Sequence, residues 1–366
     1  PSKKFNSMLP YLLLDQRKCQ SNIDKMLEKA TKMGVSFRPH FKTHQSATIG
    51  SWFGNKSSQA ICVSSLKMAE YFAANGWIDI TISIPINPNE HNRINKLASI
   101  AKINLLVESI EVASSLVKNI HHKVGVFVKI DCGYHRTGIS ADNIPYIRTV
   151  LSHLQHENIH LRGFLSHFGN TYSSSSPQEV KSIYSSSIQQ LLELKAQFIP
   201  DYPNLQLSIG DTPSCSIVDD FEGADEIRPG NFVFYDVMQW KLGSCHVNDI
   251  AVALIVPVLA KHAHRNEIVI HGGAIHLSKE FTMHENGEKM YGLVCRFTNG
   301  KWTESIENAY VCSLSQEHGI IKLASQELEK TQIGELLAIL PVHSCLTANL
   351  MNGFQTLDGQ IIRMML

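Results

Sequence analysis

Residues 37–45 read Phe-Arg-Pro-His-Phe-Lys-Thr-His-Gln and set one lysine, Lys42, at the close of an expected strand. If that strand runs from Val35 to Lys42, its period of two sends Val35, Phe37, Pro39 and Phe41 to one face and Ser36, Arg38, His40 and Lys42 to the other. The apolar face packs outward, and the cationic face looks into a site. An ordinary lysine is neutral in only about one part in 2500 at pH 7, so a nucleophilic one needs burial or cationic neighbours. Arg38 and His40 are such neighbours. The plainer reading, a solvated lysine closing a strand, accounts for this stretch equally well.

Working outward, apolar runs recur at 59–64, 79–84, 103–108, 124–130, 161–167, 205–210 and 226–232, which with the first makes eight. Segments of helical character separate most of them; the clearest spacer runs from Pro177 to Phe198, with Val180, Ile183, Tyr184, Ile188, Leu191 and Leu192 at helical spacing. Strands alternating with helices imply parallel pairing, and eight units predict a (β/α)8 TIM-type barrel, with a doubly wound open sheet as the competing arrangement. In a barrel, chemistry collects at the carboxyl ends of strands. Lys42, residues 131–136, His167, residues 210–212 and residues 228–231 all fall there.

After about residue 245 the pattern changes to strands without long helices: 249–261, 267–271, 292–297, 302–306 around an Asn299-Gly300 turn, 310–314 and 320–323, with a further hairpin around Asp358-Gly359. This predicts a barrel over 15–245 and a mainly antiparallel β domain over 246–366, joined by residues 1–14, whose Tyr-Leu-Leu-Leu run reads as a strand before an Asp15 helix cap.

Lys plus Arg and Asp plus Glu both number 33, and no charge run stands out, which argues against a nucleic-acid or membrane-surface partner. The 250–260 apolar run is too short to span a bilayer, and the amino-terminal residues lack a signal-peptide pattern. Eight cysteines without a CxxC pair predict free thiols and a cytoplasmic setting.

Three further motifs carry chemistry. Asp131-Cys-Gly-Tyr-His-Arg-Thr-Gly138 can bend sharply at its glycines and aim Arg136 inward at a phenolate or carboxylate. Ser208-Ile-Gly-Asp-Thr-Pro-Ser214 reads as strand, turn and helix start, a setting that favours an anion, and Arg228-Pro-Gly-Asn231 is the second place where such barrels bind phosphate. His343-Ser-Cys345 on an extended segment would set imidazole and thiolate on one side, a pair suited to zinc or to plain packing.

Together these residues resemble the D-threonine aldolase and eukaryotic-type D-serine dehydratase family, fold type III pyridoxal phosphate enzymes with an alanine-racemase-like barrel. The resemblance implies that Lys42 carries pyridoxal 5'-phosphate beside His40, and that Arg136 meets the cofactor's phenolic oxygen. It implies that His167, Tyr172, Gly210, Asp211, Thr212, Gly230 and Asn231 bind ring and phosphate. His271-Gly-Gly-Ala and Ser315-Gln-Glu-His-Gly319 are similar to landmarks of the second domain, although Gln316 stands where an acidic residue is more usual. His343-x-Cys345 resembles the metal pair of the dehydratases, whereas the aldolases more usually carry His-x-Asp. Zinc is the favoured ion, with manganese or magnesium as alternatives. The implied activity is elimination of water from D-3-hydroxy amino acids to a 2-oxo acid and ammonia. Retro-aldol cleavage to glycine and an aldehyde is the alternative; racemization and non-catalytic cofactor binding are more distant ones. The expected assembly is a homodimer whose sites combine the barrel of one chain with the β domain of the other.

Overall fold

The computed structural model describes residues 10–365, so most of the expected 1–14 connection lies outside the described residues. The described residues form two compact units, one comprising Ile23–Phe232 with Leu242–Ser244, the other residues 10–22, Val233–Lys241 and residues 245–365.

In the first unit eight parallel strands follow one another in chain order: Ser36–Phe37, Ile61–Val63, Asp79–Pro85, Lys102–Val107, Val124–Asp131, Ile159–Leu165, Gln206–Ile209 and Glu226–Ile227. The last pairs with the first, Glu226 opposite Ser36 and Ile227 opposite Phe37. A bridge between His40 and Cys62 joins the two ends of the order. No strand order reverses, as a doubly wound sheet would require. The helix Pro177–Phe198 has its expected bounds; Ser176 caps it by accepting the Glu179 amide at 3.2 Å.

The expected strand 35–42 is shorter than the pattern suggested, with only Ser36–Phe37 in regular pairing. Beyond it the backbone stays tied on both sides. Arg38 and His40 donate to Ile227 and Pro229 carbonyls at 3.0 and 2.8 Å, and Phe41 donates to Cys62 O at 2.8 Å. The alternation holds: Phe41 is buried against Phe53, Phe72 and Trp77, with ring centroids 5.0, 5.0 and 5.7 Å away. That aromatic cluster anchors the outer face, so the inner face is fixed two residues at a time.

The second unit is built on an antiparallel ring in which Val252–His262, Glu267–His271, His318–Lys322, Lys301–Leu314, Gly292–Thr298 and Leu336–Pro341 pair in that order and return to the first. Tyr11–Leu14 extends it by pairing with Val252–Ile255, and Gly353–Thr356 with Ile361–Arg363 forms the expected hairpin, Gly359 taking φ 89° at its turn. Two expected strands, 302–306 and 310–314, are one strand that bends through Asn308 at φ 55°. The first unit begins after Asn22 rather than at residue 15 and ends at Ser244 as expected, except that Val233–Lys241 belongs to the second unit. The buried Asn22 amide explains the first boundary, donating to Val233 O at 3.4 Å and Asp249 O at 2.9 Å and so tying the start of helix Gln16–Lys32 to the second unit. No described helix is long and apolar enough to cross a membrane.

Candidate active site

Lys42 sits in the turn that follows Phe41, at the carboxyl end of its strand, with an exposed side chain. Its backbone amide donates to His40 Nδ1 at 3.3 Å. Ser83 Oγ donates its one proton to Val63 O at 3.1 Å, so at 2.9 Å it accepts from His40 Nε2. His40 is therefore the neutral Nε2–H tautomer. Burial, with Lys42 and Arg228 adding repulsion, holds its pKa well below the ordinary value.

Arg38 does not serve Lys42 as a cationic neighbour. Its Nη1 meets Asp79 Oδ1 and its Nε meets Glu226 Oε2, each at 2.6 Å, and the guanidinium is buried. Two carboxylates cancel its charge. The network continues inside the strand set: Ser208 Oγ donates to Glu226 Oε1 at 2.6 Å and accepts from Arg228 Nη1, while Arg228 Nη2 donates to Ser166 O at 2.7 Å.

The two glycine loops meet beside His40. Asp211 caps helix Thr212–Ile217 by accepting the Ser214 amide at 2.6 Å, and burial pushes its carboxyl up to about 6. Gly230 N donates to Thr212 Oγ1 at 3.4 Å, and a Cβ on Gly230 would stand 3.1 Å from His40 Cβ. A Cβ on Gly210 would stand 2.9 Å from the Arg228 backbone, so both glycines permit close approach. Tyr172 OH accepts the Thr212 amide at 3.3 Å, and Asn231 is buried in the adjoining turn. The buried Ser214 hydroxyl stands against the Asp211 carboxylate, which also accepts the Ser214 amide. A cradle of backbone that side chains at Gly210 and Gly230 would fill suits a phosphate.

His167 Nδ1 donates to Gly210 O at 2.5 Å, and burial and Lys42 hold its pKa well below the ordinary value, so this ring too is neutral. Its edge meets Tyr134, centroids 5.6 Å apart, and Arg136 lies 4.9 Å over the other ring of that pair. Arg136 is exposed, and its charge bears on both His167 and the buried Lys129. Asp131 folds the loop by accepting amides of Gly133, Tyr134 and His135 at 3.0, 2.9 and 3.1 Å. Gly138, at φ 115°, leaves 2.7 Å between a would-be Cβ and Asp131 N, so only glycine fits.

One residue here was marked only through its motif, and another went unmarked in the sequence. Arg228 lies within the Arg-Pro-Gly-Asn motif, but only the fold shows its reach to Ser208 and Ser166. Lys129 is a buried lysine whose Nζ donates to Ile130 O at 2.8 Å, and burial with Arg228 brings it down to about 8. A lone lysine in the apolar run Val-Gly-Val-Phe-Val-Lys-Ile was the available signal.

In the second unit, His343 and Cys345 share a side-chain hydrogen bond. Burial opposes charge on His343, but Cys345, Asp236 and Glu280 outweigh it and push the imidazole up to about 9. Imidazole and thiolate in contact are a donor set that fits a divalent ion. His271, His276 and Glu317 also gather ligand atoms within 4.8 Å of one another. His276 Nδ1, however, accepts the Gly273 amide at 3.1 Å, so the proton of the neutral ring stays on Nε2 and neither nitrogen is a ready ligand. The Ser315–Gly319 loop acts through its backbone. Ser315 and Gln316 carbonyls accept the Ala274 and Ile275 amides at 2.8 and 3.2 Å, and Gly273 packs within 2.3 Å, measured from a would-be Cβ, of Gln316 O. The Gln316 side chain is exposed, which explains why an uncharged residue is accommodated.

Residues 14–237 match the family described as alanine racemase, N-terminal domain, and residues 251–357 match the serine dehydratase domain. Over 98% of its length the chain is 31% identical to a D-serine dehydratase of Dictyostelium discoideum, covering 95% of that protein. The chain belongs to the D-serine dehydratase family of pyridoxal phosphate enzymes. It is 26% identical to a D-threo-3-hydroxyaspartate dehydratase of Delftia sp., covering 96% of this chain and 95% of that one. The solved structure of that enzyme superimposes with a TM-score of 0.89 at 24% identity over 99% and 98% of the two chains. Structures under that enzyme name include a cysteine-to-alanine mutant in the metal-free form and a histidine-to-alanine mutant, the two substituted positions lying two residues apart. A D-threonine aldolase of Filomicrobium marinum shares the fold, with a TM-score of 0.83 at 20% identity over 99% and 95% of the chains.

Proposed function

We propose that the chain is a pyridoxal phosphate- and divalent-metal-dependent lyase that eliminates water from D-3-hydroxy amino acids such as D-serine, giving a 2-oxo acid and ammonia. The observation that carries this reading is the convergence of Lys42, His40, His167 and the two glycine loops at the carboxyl ends of eight parallel strands. We read that strand set as a (β/α)8 barrel of TIM type, in which those ends hold the chemistry.

Pyridoxal phosphate, when bound, supplies a sink for the electron pair at Cα. Lys42 Nζ would hold the cofactor through its carbonyl carbon, and as a free amine would serve as the base for the substrate's α proton. His40 sets the Lys42 turn through the backbone amide. The neutral His167 ring, locked onto Gly210 O, would contact the cofactor ring, and Arg136 would supply a cation for its phenolic oxygen. Thr212, Ser214 and the loop amides at Gly210, Asp211, Gly230 and Asn231 hold the phosphate. A divalent ion held by His343 and Cys345 supplies a Lewis acid for a hydroxyl leaving group. The likeness to two dehydratases, and the His and Cys two residues apart that were substituted in one of them, support this assignment. Imidazole with thiolate favours zinc over manganese or magnesium. Assembly as a homodimer belongs to the same reading, and a fully active monomer in sedimentation would contradict it. So does a reducing cytoplasm, which the eight free cysteines support.

The test is incubation of metal-loaded enzyme with D-serine and with D-threonine separately. The expected products are 2-oxo acid and ammonia, lost on chelation. Glycine and aldehyde from D-threonine, with no 2-oxo acid from either substrate, would overturn the dehydratase reading.

A further inference from the structure

Helix Ser344–Met351 begins in an unusual way. The residue at its cap, His343, makes no side-chain capping bond, although a helix start needs an acceptor for its first amides. The acceptor arrives from elsewhere in the same unit. Asp236, only 1% exposed and 108 positions earlier, takes the Ser344 amide on Oδ2 at 2.9 Å and the Ser344 hydroxyl on the same oxygen at 3.2 Å. Its other oxygen, Oδ1, accepts the Gln239 amide at 2.9 Å and so caps helix Val237–Lys241. Met238 N donates to Val342 O at 3.3 Å, which fastens the two segments a second time.

We infer that Asp236 is the positioning residue of the His343–Cys345 pair: by capping the helix in place of His343 it frees the imidazole to turn toward Cys345 and fixes the spacing of the two donors. This rests on the reading of that pair as the metal site. Two of the three donors that converge on this buried carboxylate come from Ser344, the residue between the two ligands, so a change in Asp236 moves both. Its negative charge also favours a cation at the pair, adding to the geometric effect. Partners of this kind, one bond removed from a metal ligand, typically contribute about 10- to 100-fold to metal affinity.

The experiment measures zinc affinity by chelator competition and the thiolate-to-cobalt charge-transfer band of the cobalt-loaded protein, in wild type, Asp236→Asn, Ser344→Ala and Cys345→Ala. Cofactor absorbance and thermal melting accompany each. Asp236→Asn is expected to weaken zinc by about 10- to 100-fold and to shift the cobalt band. Ser344→Ala, which removes only the hydroxyl leg and keeps the amide, is expected to weaken zinc less while melting as wild type does; it keeps the inference testable if Asp236→Asn fails to fold. Unchanged zinc affinity and cobalt band in a folded Asp236→Asn, or in Ser344→Ala where Asp236→Asn does not fold, would overturn the role of Asp236 alone. Wild type that binds no zinc, or Cys345→Ala that binds it equally well with no loss of the band, would overturn the metal pair and Asp236 with it.

Discussion

Replacing Arg38 with leucine removes the cation at the centre of the strand set. Its side chain is 4% exposed and that of its partner Glu226 10%, and both ion-pair distances from the guanidinium are 2.6 Å. In Arg38→Leu, Asp79 keeps Lys102, whose Nζ lies 2.8 Å away, but Glu226 keeps only the Ser208 hydroxyl at 2.6 Å as a direct partner, with the Arg228 cation one bond further on. A buried carboxylate stripped of its cation typically costs about 3–5 kcal/mol, whereas replacing a whole buried pair by apolar groups is often neutral. That cost is roughly two to four powers of ten in the folding constant of this unit. Urea unfolding of wild type, Arg38→Leu, Glu226→Leu and the double variant gives the coupling directly. The double variant is expected to recover most of what Arg38→Leu loses. A loss below about 1 kcal/mol in Arg38→Leu, the range of a surface pair, or strict additivity of the two single variants, would refute the assignment of Arg38 to a buried structural pair.

Burial among Phe41, Phe53 and Phe72 brings His44 down to about 3. A histidine depressed in the folded state leaves the unfolded chain to take the proton first, so stability falls as pH drops below about 6.5, by up to about 1.4 kcal/mol per pH unit from this residue. His44→Asn keeps an acceptor for the Ser46 amide, 3.1 Å from the present ring, and is expected to flatten that acid limb in urea unfolding; an identical slope would contradict it. Gly210→Ala would force a Cβ to 2.9 Å from the Arg228 backbone, an overpacking that costs about 1–3 kcal/mol and moves the turn beside His167. Cofactor affinity measured by absorbance titration should fall, and an unchanged affinity would remove this turn from the phosphate site.

The strand order was legible because each parallel strand is an apolar run between helical spacers, and the site residues were legible because each follows such a run. Arg38 was misread for a reason that periodicity cannot supply. Alternation gives the face, but the carboxylate that cancels its charge is Glu226, 188 positions away. Strand Leu336–Pro341, which completes the antiparallel ring, was missed although it is an apolar run of the kind read as strands elsewhere in the chain. The single strand 301–314 was divided because Glu307-Asn308 reads as a turn, whereas Asn308 bends the strand at positive φ without ending it. Asp236 carried no local signal at all, since its importance lies in the segment it meets around Ser344.

Two lysines compete for the cofactor in the same strand set: Lys42, exposed in the turn after Phe41, and Lys129, buried and brought down to about 8. Borohydride reduction of the cofactor-loaded protein, followed by peptide mapping, decides between them. The account predicts the label on Lys42 alone, in the peptide containing Phe-Arg-Pro-His-Phe-Lys-Thr-His; a label on Lys129 or on any other lysine would contradict it.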